Sequence, residues 1–456
     1  MKHLQLELTA LSPLAIRSDH APGGAATAKV IPGSSLAGCL ASAHRSLYGD
    51  NTQEFEDLFL KGQVYYPHLY PATLKIPSKT AKEEKKEAEN LQKAVLPVYP
   101  VPMTAQTCKK RSGFLFPKDE KEDRHGVRDS LLDWAIFSLL TKDGPSEREV
   151  DALNLLHAHH LCKAKTREGK TCEALMQPFK GYYSVPSLEG GQLKYVEVAE
   201  LDTRLQTRTG ISREWGTVEG SILYSREVIE DDMRFWGTVK LPEELEPAFI
   251  HLLEEATMPN TATRQNSSLL RIGTGRTRGL GAVKIVNLGE EPHDFAGFKE
   301  RLATFSDALI ARAEEAHVQG VKPFYFALTL HSPTILQDKF LRYQGIVDEE
   351  KLVAIINLPT EDEPIINLSD VTLVYHAARL ERITGWQELW GTPRFKEYAI
   401  ATGSVFLFGL SRKPNDVLWH KLFTLEEEGM GERQADGFGR VMLSDPFHLQ
   451  EEEVLR

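Results

Sequence analysis

The chain of 456 residues is long enough for two or three folded domains, and its 41% hydrophobic and 26% charged residues exclude disorder throughout. The 54 basic and 65 acidic residues give a net charge of −11. Since nucleic-acid binders are basic at least locally, any such site has to be a basic patch on an acidic body.

The first predicted elements are a strand and a helix. Leucines alternate with polar residues over positions 4–8, which is typical of a strand and not of a signal-peptide core. The strand ends at Ser12-Pro13, and a loop rich in Gly and Ala follows. The motif PGSSLAGCL (residues 32–40) then opens a helical pattern, for which Ser34 or Ser35 is the expected N-cap.

The middle of the first half is expected to be an insertion. Residues 78–93 are almost wholly polar and charged, which predicts an exposed helix or a mobile segment. Residues 96–183 hold three of the four cysteines. The longest apolar run, residues 131–140, is too short to span a bilayer, so we expect a cytoplasmic protein without a membrane partner.

Strand and helix patterns resume after the insertion. A glycine-rich loop interrupts them, and a helix at residues 298–316 is expected to close the first half. The other predicted elements are strands at 193–198, 221–229, 235–240, 282–288 and 324–330, and a helix at 243–256.

The chain repeats itself. Residues 8–16 (LTALSPLAI) match residues 328–336 (LTLHSPTIL), and each half ends in a glycine loop that leads into a strand. Two matching features in the same order indicate duplication of one fold. We therefore expect a first domain at residues 1–320, with an insertion at about 78–190, and a second at 321–456.

The first glycine loop (residues 273–281, GTGRTRGLG) has several interpretations. A P-loop would end in Gly-Lys-Ser/Thr, and a dinucleotide-binding motif would have a third glycine where Arg278 stands and would open a helix. A tight packing turn is the simplest alternative. Two arginines among four glycines favour contact with a ribose-phosphate chain, since glycine lets the backbone approach and arginine binds phosphate.

At this point the sequence resembles a known family, the CRISPR-associated RAMP superfamily. The similarity rests on LTALSPLAI, PGSSLAGCL, the stretch TGISREWGTVEG (residues 209–220) and both glycine loops. It implies an α+β fold of two ferredoxin-like (RRM-like) domains that bind CRISPR RNA. Length, duplication and the segment HGVRD (residues 125–129) are most similar to the large RAMP subunit of type III-D complexes.

The resemblance implies a non-catalytic, crRNA-binding subunit of a type III effector complex. Such a subunit holds the 5′ handle of the guide RNA and nucleates assembly. Its implied partners are CRISPR RNA, a large polymerase/nuclease-like subunit, backbone RAMP subunits and, indirectly, target RNA.

Several residue groups are expected to contact RNA. In related subunits the stretch at residues 209–220 forms a hairpin on the guide RNA, so the preceding arginines would meet phosphates and a tryptophan would stack on a base. The alternative is a solvated hairpin with a packed tryptophan. The complete predicted set is Lys109, Lys110, Arg204, Arg208, Arg213, Trp215, Gly273, Gly275, Arg276, Arg278, Gly279, Gly281, Gly437, Gly439 and Arg440.

Cys108, His125, Cys162 and Cys172 are the predicted ligands of one structural zinc ion. Cys₃His is a common zinc set, although nine residues between Cys162 and Cys172 are more than zinc motifs usually have. Three clustered cysteines in an insertion with little core of its own favour metal, and unliganded thiols are the alternative. Nearby substitutes for His125 lie at positions 157, 159 and 160.

The alternative hypothesis is that the protein is an enzyme and not a binding subunit. Related RAMP subunits cleave RNA with an Asp in the loop before PGSSL, where this chain has Asp19 and His20. These residues would make it a metal-assisted or metal-free endoribonuclease. A scaffold that contacts only neighbouring subunits is the third hypothesis.

Overall fold

The structure is a computed structural model. It describes residues 1–17, 26–49, 52–75, 96–114, 124–141, 160–164, 170–185, 196–211, 218–257, 269–291, 293–358, 364–387 and 392–450. Within these ranges, no helix is both long enough and apolar enough to cross a membrane. The charged segment at 78–93 and the candidate catalytic residues Asp19 and His20 lie outside the described residues.

The strands of the described residues form antiparallel pairs. They are β1 (Lys2–Ala10), β2 (Tyr70–Pro71), β3 (Val98–Pro100), β4 (Ala105–Cys108), β5 (Val127–Asp129), β6 (Met176–Pro178), β7 (Tyr182–Ser184), β8 (Val196–Glu197), β9 (Thr203–Ile211), β10 (Val218–Ile229), β11 (Arg234–Leu241), β12 (Val283–Glu290), β13 (Phe324–Leu330), β14 (Val371–Ala377), β15 (Leu380–Ile383), β16 (Trp386–Gln387), β17 (Thr392–Pro393), β18 (Glu397–Ile400), β19 (Val405–Leu410) and β20 (Val441–Leu443).

The α-helices lie between these strands. They are α1 (Gly33–Tyr48), α2 (Gln53–Phe55, continued by a π-helical turn), α3 (Leu131–Thr141), α4 (Glu246–Thr257), α5 (Phe295–Glu315), α6 (Glu349–Asn357) and α7 (Asp416–Glu428). The expected α+β composition is therefore confirmed at the level of helices combined with antiparallel sheets.

The first sheet has the strand order β12-β1-β11-β2. The leucines of β1 are buried as the alternation predicts, because one face of the sheet packs against α1 and α4. Helix α1 begins at Gly33, so the prediction of a serine N-cap is wrong. The N–H of Gly33 instead donates to Nδ1 of His68 over 3.0 Å, a tertiary contact that no local pattern shows.

The second sheet has the order β14-β19-β13-β20, and its connections match those of the first. Each sheet is built from strand, helix, two strands, helix and strand, with the last strand beside the first. All seven residues of β13 are buried, because helices cover both faces of this sheet. That double cover explains why β13 is a continuous apolar run without alternation.

We expected helix α5 to close the first half. Instead, it packs against the second sheet. Its Phe305 and Leu309 lie in one apolar cluster with Tyr325 of β13 and Leu407 of β19. Helix α3, from the predicted insertion, adds Leu131 to the same cluster. The insertion is therefore anchored on the second sheet, although the sequence places it in the first half.

The repeated LT-x-x-SP segments occupy equivalent places. The N–H of Ala282 donates to Oγ of Ser12 over 2.9 Å, and the N–H of Arg440 donates to Oγ of Ser332 over 2.9 Å. In both halves the Ser-Pro turn thus binds the chain where it leaves a glycine loop. This shared contact supports the duplication on structural grounds.

Candidate nucleic-acid interface and metal centre

The first glycine loop is a short 3₁₀ turn held between glycines. Gly275 and Gly279 flank the turn Arg276–Arg278 with φ values of 76° and 81°, in the left-handed region that favours glycine. Both arginines are exposed at the tip of the loop. The loop therefore presents two cations on a rigid turn.

The glycines of this loop differ in the space around their Cα atoms. A Cβ on Gly273 would lie 2.4 Å from the carbonyl oxygen of Ala15, and one on Gly281 would lie 2.3 Å from that of Ile272. A Cβ on Gly279 would meet nothing within 4 Å. Gly273 and Gly281 thus allow close packing within the protein, and Gly279 lies on the open side with the arginines.

Strands β9 and β10 form a two-stranded ribbon next to this loop. Their register pairs Arg208 with Tyr224 and Gln206 with Arg226. Since alternate residues of a strand share a face, Arg204, Arg208, Tyr224 and Arg226 lie on one side of the ribbon. The sequence analysis missed Tyr224 and Arg226, which only the cross-strand register reveals.

The ribbon and the first glycine loop are in direct contact. Nη1 of Arg278 donates a hydrogen bond to the hydroxyl of Tyr224 over 3.1 Å, and a Cβ on Gly275 would lie 3.1 Å from Nη1 of Arg226. Val228 and Leu280 are buried together beneath this contact. The structure thus joins predicted residues from two separate motifs into one basic surface.

We call this surface the basic ridge. Arg204 pairs with Glu230 at 3.4 Å, where its side chain remains half exposed. The guanidinium of Arg208 donates to the amide oxygen of Gln206 over 3.2 Å. The residues of the basic ridge are Arg204, Arg208, Tyr224, Arg226, Arg276 and Arg278.

The second glycine loop (residues 431–440) has the same framework with a different tip. Gly431, Gly437 and Gly439 have positive φ angles and stand at the spacing of Gly273, Gly279 and Gly281. Its 3₁₀ turn is Gln434–Asp436, so an amide and a carboxylate replace the two arginines of the first loop. The turn at the tip of the second loop therefore lacks the two cations of the first.

This second loop is buried against the first half. A Cβ on Gly437 would lie 2.7 Å from the carbonyl oxygen of Tyr66, and a Cβ on Gly439 would lie 1.8 Å from that of Met430. The ring of Phe438 packs on His68 with centroids 4.9 Å apart. Of the two glycines that we expected to contact RNA, Gly437 packs against the first half, and Gly439 packs against Met430 within the second half.

Arg440 is also part of that junction. Its guanidinium donates to the backbone carbonyl of Thr238 in β11, and burial lowers the pKa of Arg440 to about 10. In the first loop the corresponding residue is Ala282. Arg440 therefore connects the two halves through this hydrogen bond, and we do not include it in the surface proposed to bind RNA.

The four predicted metal ligands come together. One ligand atom from each of Cys108, His125, Cys162 and Cys172 lies within 4.8 Å of all the others. Sγ of Cys108 is 3.9 Å from Sγ of Cys172, and Nδ1 of His125 is 3.1 Å from Sγ of Cys162. Zinc–sulfur bonds of ~2.3 Å in a tetrahedron separate sulfurs by about 3.8 Å, so the donor set fits one zinc ion.

The wide spacing of Cys162 and Cys172 is explained by a hairpin. The N–H of Cys162 donates to the carbonyl of Ala174 over 2.8 Å, and that of Cys172 donates to Ala164 over 2.9 Å. Burial, with the neighbouring thiols of Cys108 and Cys172 adding to the effect, raises the pKa of Cys162 to about 12. Since metals bind thiolates, metal binding at this cluster would release protons.

Comparison with known proteins identifies the family. The model of the RAMP superfamily matches residues 7–284, which is more than half of the chain. The chain belongs to the RAMP superfamily. A comparison with curated proteins found no match to this RAMP protein.

Two solved structures illustrate the distant similarity of this RAMP protein to others. A chain of the type III-B Cmr-beta complex bound to cognate target RNA is 11% identical, with a TM-score of 0.34 and 96% of each chain covered. Oligomeric Cmr4 from Pyrococcus furiosus is 14% identical, with a TM-score of 0.24, over 64% of this chain and 99% of that chain.

The remaining predicted residues lie elsewhere. Lys109 and Lys110 are exposed beside the predicted metal ligand Cys108 at the end of β4, and they belong neither to the ribbon nor to the first glycine loop. Arg213 and Trp215, and the substitute histidines 157 and 159, lie outside the described residues. His160 is described, and its ring packs against Trp134 with centroids 6.1 Å apart.

Proposed function

We propose that this RAMP protein is an RNA-binding subunit of a type III CRISPR effector complex. In this proposal it holds the 5′ handle of the guide RNA and nucleates assembly with the large polymerase/nuclease-like subunit and the backbone RAMP subunits. It meets target RNA only through the guide. The hydrogen bond between Arg278 and Tyr224 carries the proposal, because it joins the loop tip to the basic face of the ribbon.

Electrostatics supports this role. The basic ridge presents five arginines on a chain whose net charge is −11. Local cations of this kind bind phosphates, release counterions and position RNA without selecting bases. The partly exposed ring of Tyr224 adds a surface on which a base can stack.

The contrast between the two loops is the second argument. Both loops keep the glycines that their turns require, but only the first has arginines at its tip and an exposed position. The second loop has Asp436 at the tip and packs on Tyr66 and His68. The second loop thus serves assembly of the fold, and the first presents an exposed cationic tip to RNA.

The fold supports a corresponding domain organisation. We propose that each sheet with its two helices is a ferredoxin-like unit, since both have the β-α-β-β-α-β order of that fold. The contacts of α5 with the second sheet favour a boundary before this helix, near residue 291, instead of the boundary at residue 320 that we expected from the sequence. Similarity to type III-D subunits remains part of the proposal.

A zinc ion belongs to the same proposal. Cys108, His125, Cys162 and Cys172 would hold one structural zinc in the insertion between β2 and β11. That ion would supply the stability that a small local core lacks. No step in RNA binding at the basic ridge depends on the metal.

The deciding experiment replaces Arg276 and Arg278 together with Ala. We expect weaker binding of labelled repeat RNA and a salt dependence that is smaller by roughly one to two phosphate contacts. The control replaces two exposed arginines of the second half, Arg342 and Arg412, and removes the same charge. Equal binding by the folded Arg276/Arg278 variant and wild type would refute the proposal.

The same incubation separates the alternatives. A binding subunit retards the labelled RNA and leaves its length unchanged. Shortened RNA that depends on Asp19 or His20 would instead identify an endoribonuclease. Neither retardation nor cleavage would indicate a scaffold that contacts only protein.

A further inference from the structure

Each of the four predicted metal ligands has a cation close by in the sequence. Arg124 precedes His125, Lys163 follows Cys162, and Lys170 stands two residues before Cys172. Cys108 is followed by Lys109, Lys110 and Arg111 in succession. We call residues 105–114, 124–128, 160–164 and 170–178 the metal module.

The ligands and their charged neighbours point in opposite directions. Cys108 and Cys162 are buried, whereas Lys109, Lys110, Lys163 and Lys170 are exposed. Because four ligand atoms converge within 4.8 Å, the loops that carry these lysines converge too. One buried centre thus gathers cations from three separate segments of the chain on its outside.

The charge balance of the metal module is opposite to that of the whole chain. Its described residues include seven lysines and arginines, and Glu173 is the acidic residue among them. Three thiolates and one zinc ion would add a single negative charge at the buried centre. Arg128 is buried and Arg124 pairs with Glu197 at 3.5 Å, so the exposed cations of the module are Lys109, Lys110, Lys163 and Lys170, on a protein whose net charge is −11.

Ala105, Phe114 and Val127 of the module pack in a larger apolar cluster with Tyr183 and Phe447, but the loops that carry Cys162 and Cys172 have little besides the ligand cluster to hold them. The local apolar cluster consists of Cys108, Cys162 and Ala174 with three partly buried neighbours. Strands β4, β5 and β6 have only three or four residues each. Since so small a core supplies little free energy, the metal would fix the arrangement of the lysines.

We propose that the metal module is a second RNA-binding surface, which contacts phosphates through Lys109, Lys110, Lys163 and Lys170. This inference rests on the proposed function, because it assumes that RNA is the bound polyanion. Lysine meets phosphate as a point charge and lacks the planar fork with which arginine recognises guanine. Binding here is therefore independent of sequence, and it extends RNA contact beyond the basic ridge.

The test uses the full chain and a variant in which Lys109, Lys110 and Lys163 are replaced with Ala. Its control replaces the exposed lysines 339, 396 and 413 of the second half, which removes equal charge. Binding of the repeat RNA and of an unrelated single strand of equal length is measured over a range of salt concentrations. Zinc content and thermal unfolding are measured on the same samples.

We expect the variant to keep its zinc and to bind both RNAs several-fold more weakly than the control. Its slope of log K against log salt should fall by about 0.7 for each phosphate that the variant no longer neutralises. Removing the metal from wild type with a chelator should lower the slope in the same direction. The chelator should have a much smaller effect on the lysine variant, in which most of the cations of this surface are already absent.

The outcomes separate this inference from the proposed function. If the lysine variant binds like its control while the Arg276/Arg278 variant is weak, the second surface is refuted and the proposed function stands. If wild type binds RNA equally with and without its metal, or contains no metal, the organising role of the metal is refuted. If the lysine variant binds RNA normally but fails to join purified partner subunits, the surface binds protein and the inference is wrong.

Discussion

Arg278 and Tyr224 lie 54 residues apart in the chain, and the guanidinium of the first donates a hydrogen bond to the hydroxyl of the second over 3.1 Å. An exposed hydrogen bond of this kind contributes about 1 kcal/mol at most to folding. Its importance is geometric, because it aligns the loop tip with one face of the ribbon. Tyr224 can therefore act through its hydroxyl, through its ring, or through both.

Two substitutions of Tyr224 distinguish these roles. Tyr224→Phe removes the hydrogen bond and keeps the ring, whereas Tyr224→Ala removes both. If a base stacks on the ring, Tyr224→Ala should weaken RNA binding by about 1–3 kcal/mol and Tyr224→Phe by much less. The measurement is the Kd for repeat RNA at one salt concentration. Tyr398→Ala, at an exposed tyrosine of β18, is the control and should bind as wild type. Equal losses in both Tyr224 variants would show that only the hydrogen bond matters.

The metal site predicts a difference between two buried cysteines. Cys162→Ala should abolish zinc binding and lower the Tm, since a structural zinc site depends on its complete ligand set. Cys39→Ala removes the same atom from a buried position in α1, outside the cluster, and should leave the zinc content unchanged. Elemental analysis of protein purified without chelators checks both. Wild type with no zinc would contradict the prediction.

Two glycines of the first loop form a matched pair for stability. Gly281 and Gly279 have φ values of 87° and 81°, so alanine is similarly strained at both. That backbone strain costs about 1–2 kcal/mol. Gly281→Ala also places Cβ 2.3 Å from a carbonyl oxygen, whereas Gly279→Ala places it in open space. We expect Gly281→Ala to lower the free energy of unfolding clearly more than Gly279→Ala, as measured by denaturant titration. Equal losses would mean that the packing has been misjudged.

His68 predicts a dependence of stability on pH. Burial, with the nearby Arg440 adding to the effect, lowers the pKa of His68 to about 4 from an ordinary value of 6.5. The unfolded chain then takes up a proton between pH 6.5 and about 4 that the folded chain does not. Stability should therefore fall as the pH is lowered through this window, and the loss is complete below about pH 4.

The expected pH dependence of stability has a structural cause at His68, and two variants test it. Nδ1 of His68 accepts the hydrogen bond from Gly33, which a protonated ring cannot do. The total loss is on the order of 3 kcal/mol at most, since a tenfold change in proton affinity corresponds to about 1.4 kcal/mol. Unfolding measured from pH 7 to pH 4 should be less pH-dependent in His68→Asn. The substitution His251→Gln, at an exposed histidine of α4, should leave the dependence as it is in wild type.

Local patterns in the sequence predicted much of the fold. The alternation in β1, the helix at 246–257 and strands β11, β12 and β13 follow from periodicity that burial on one or two faces imposes, whereas β2, β14 and β19 were not predicted. Local patterns did not predict where α1 begins or which sheet α5 packs against. His68 and Asp436 contact Gly33 from distant parts of the chain, and the apolar face of α5 fits either sheet by composition alone.

The residues of the candidate site were predictable from the sequence only in part. Arg276, Arg278 and the four metal ligands stand out by residue type, and the structure brings each set together. Tyr224 and Arg226 lie in an ordinary strand pattern, so only the pairing with β9 reveals them. Gly437, Gly439 and Arg440 look the same in sequence as an RNA-binding loop, because the requirements of a glycine turn do not depend on what covers it.

During synthesis, strand β1 is made long before either of the strands with which it pairs. It pairs on one edge with β11, where Leu8 faces Phe235, and on the other with β12, where Leu4 faces Glu290. At about 5–20 residues per second, a ribosome needs roughly 10 to 50 s to add the residues between β1 and β11. During that interval both edges of an apolar strand lack their native partners and are open to pairing with another chain. A chain that stops before residue 234 should therefore aggregate, however complete its metal module is.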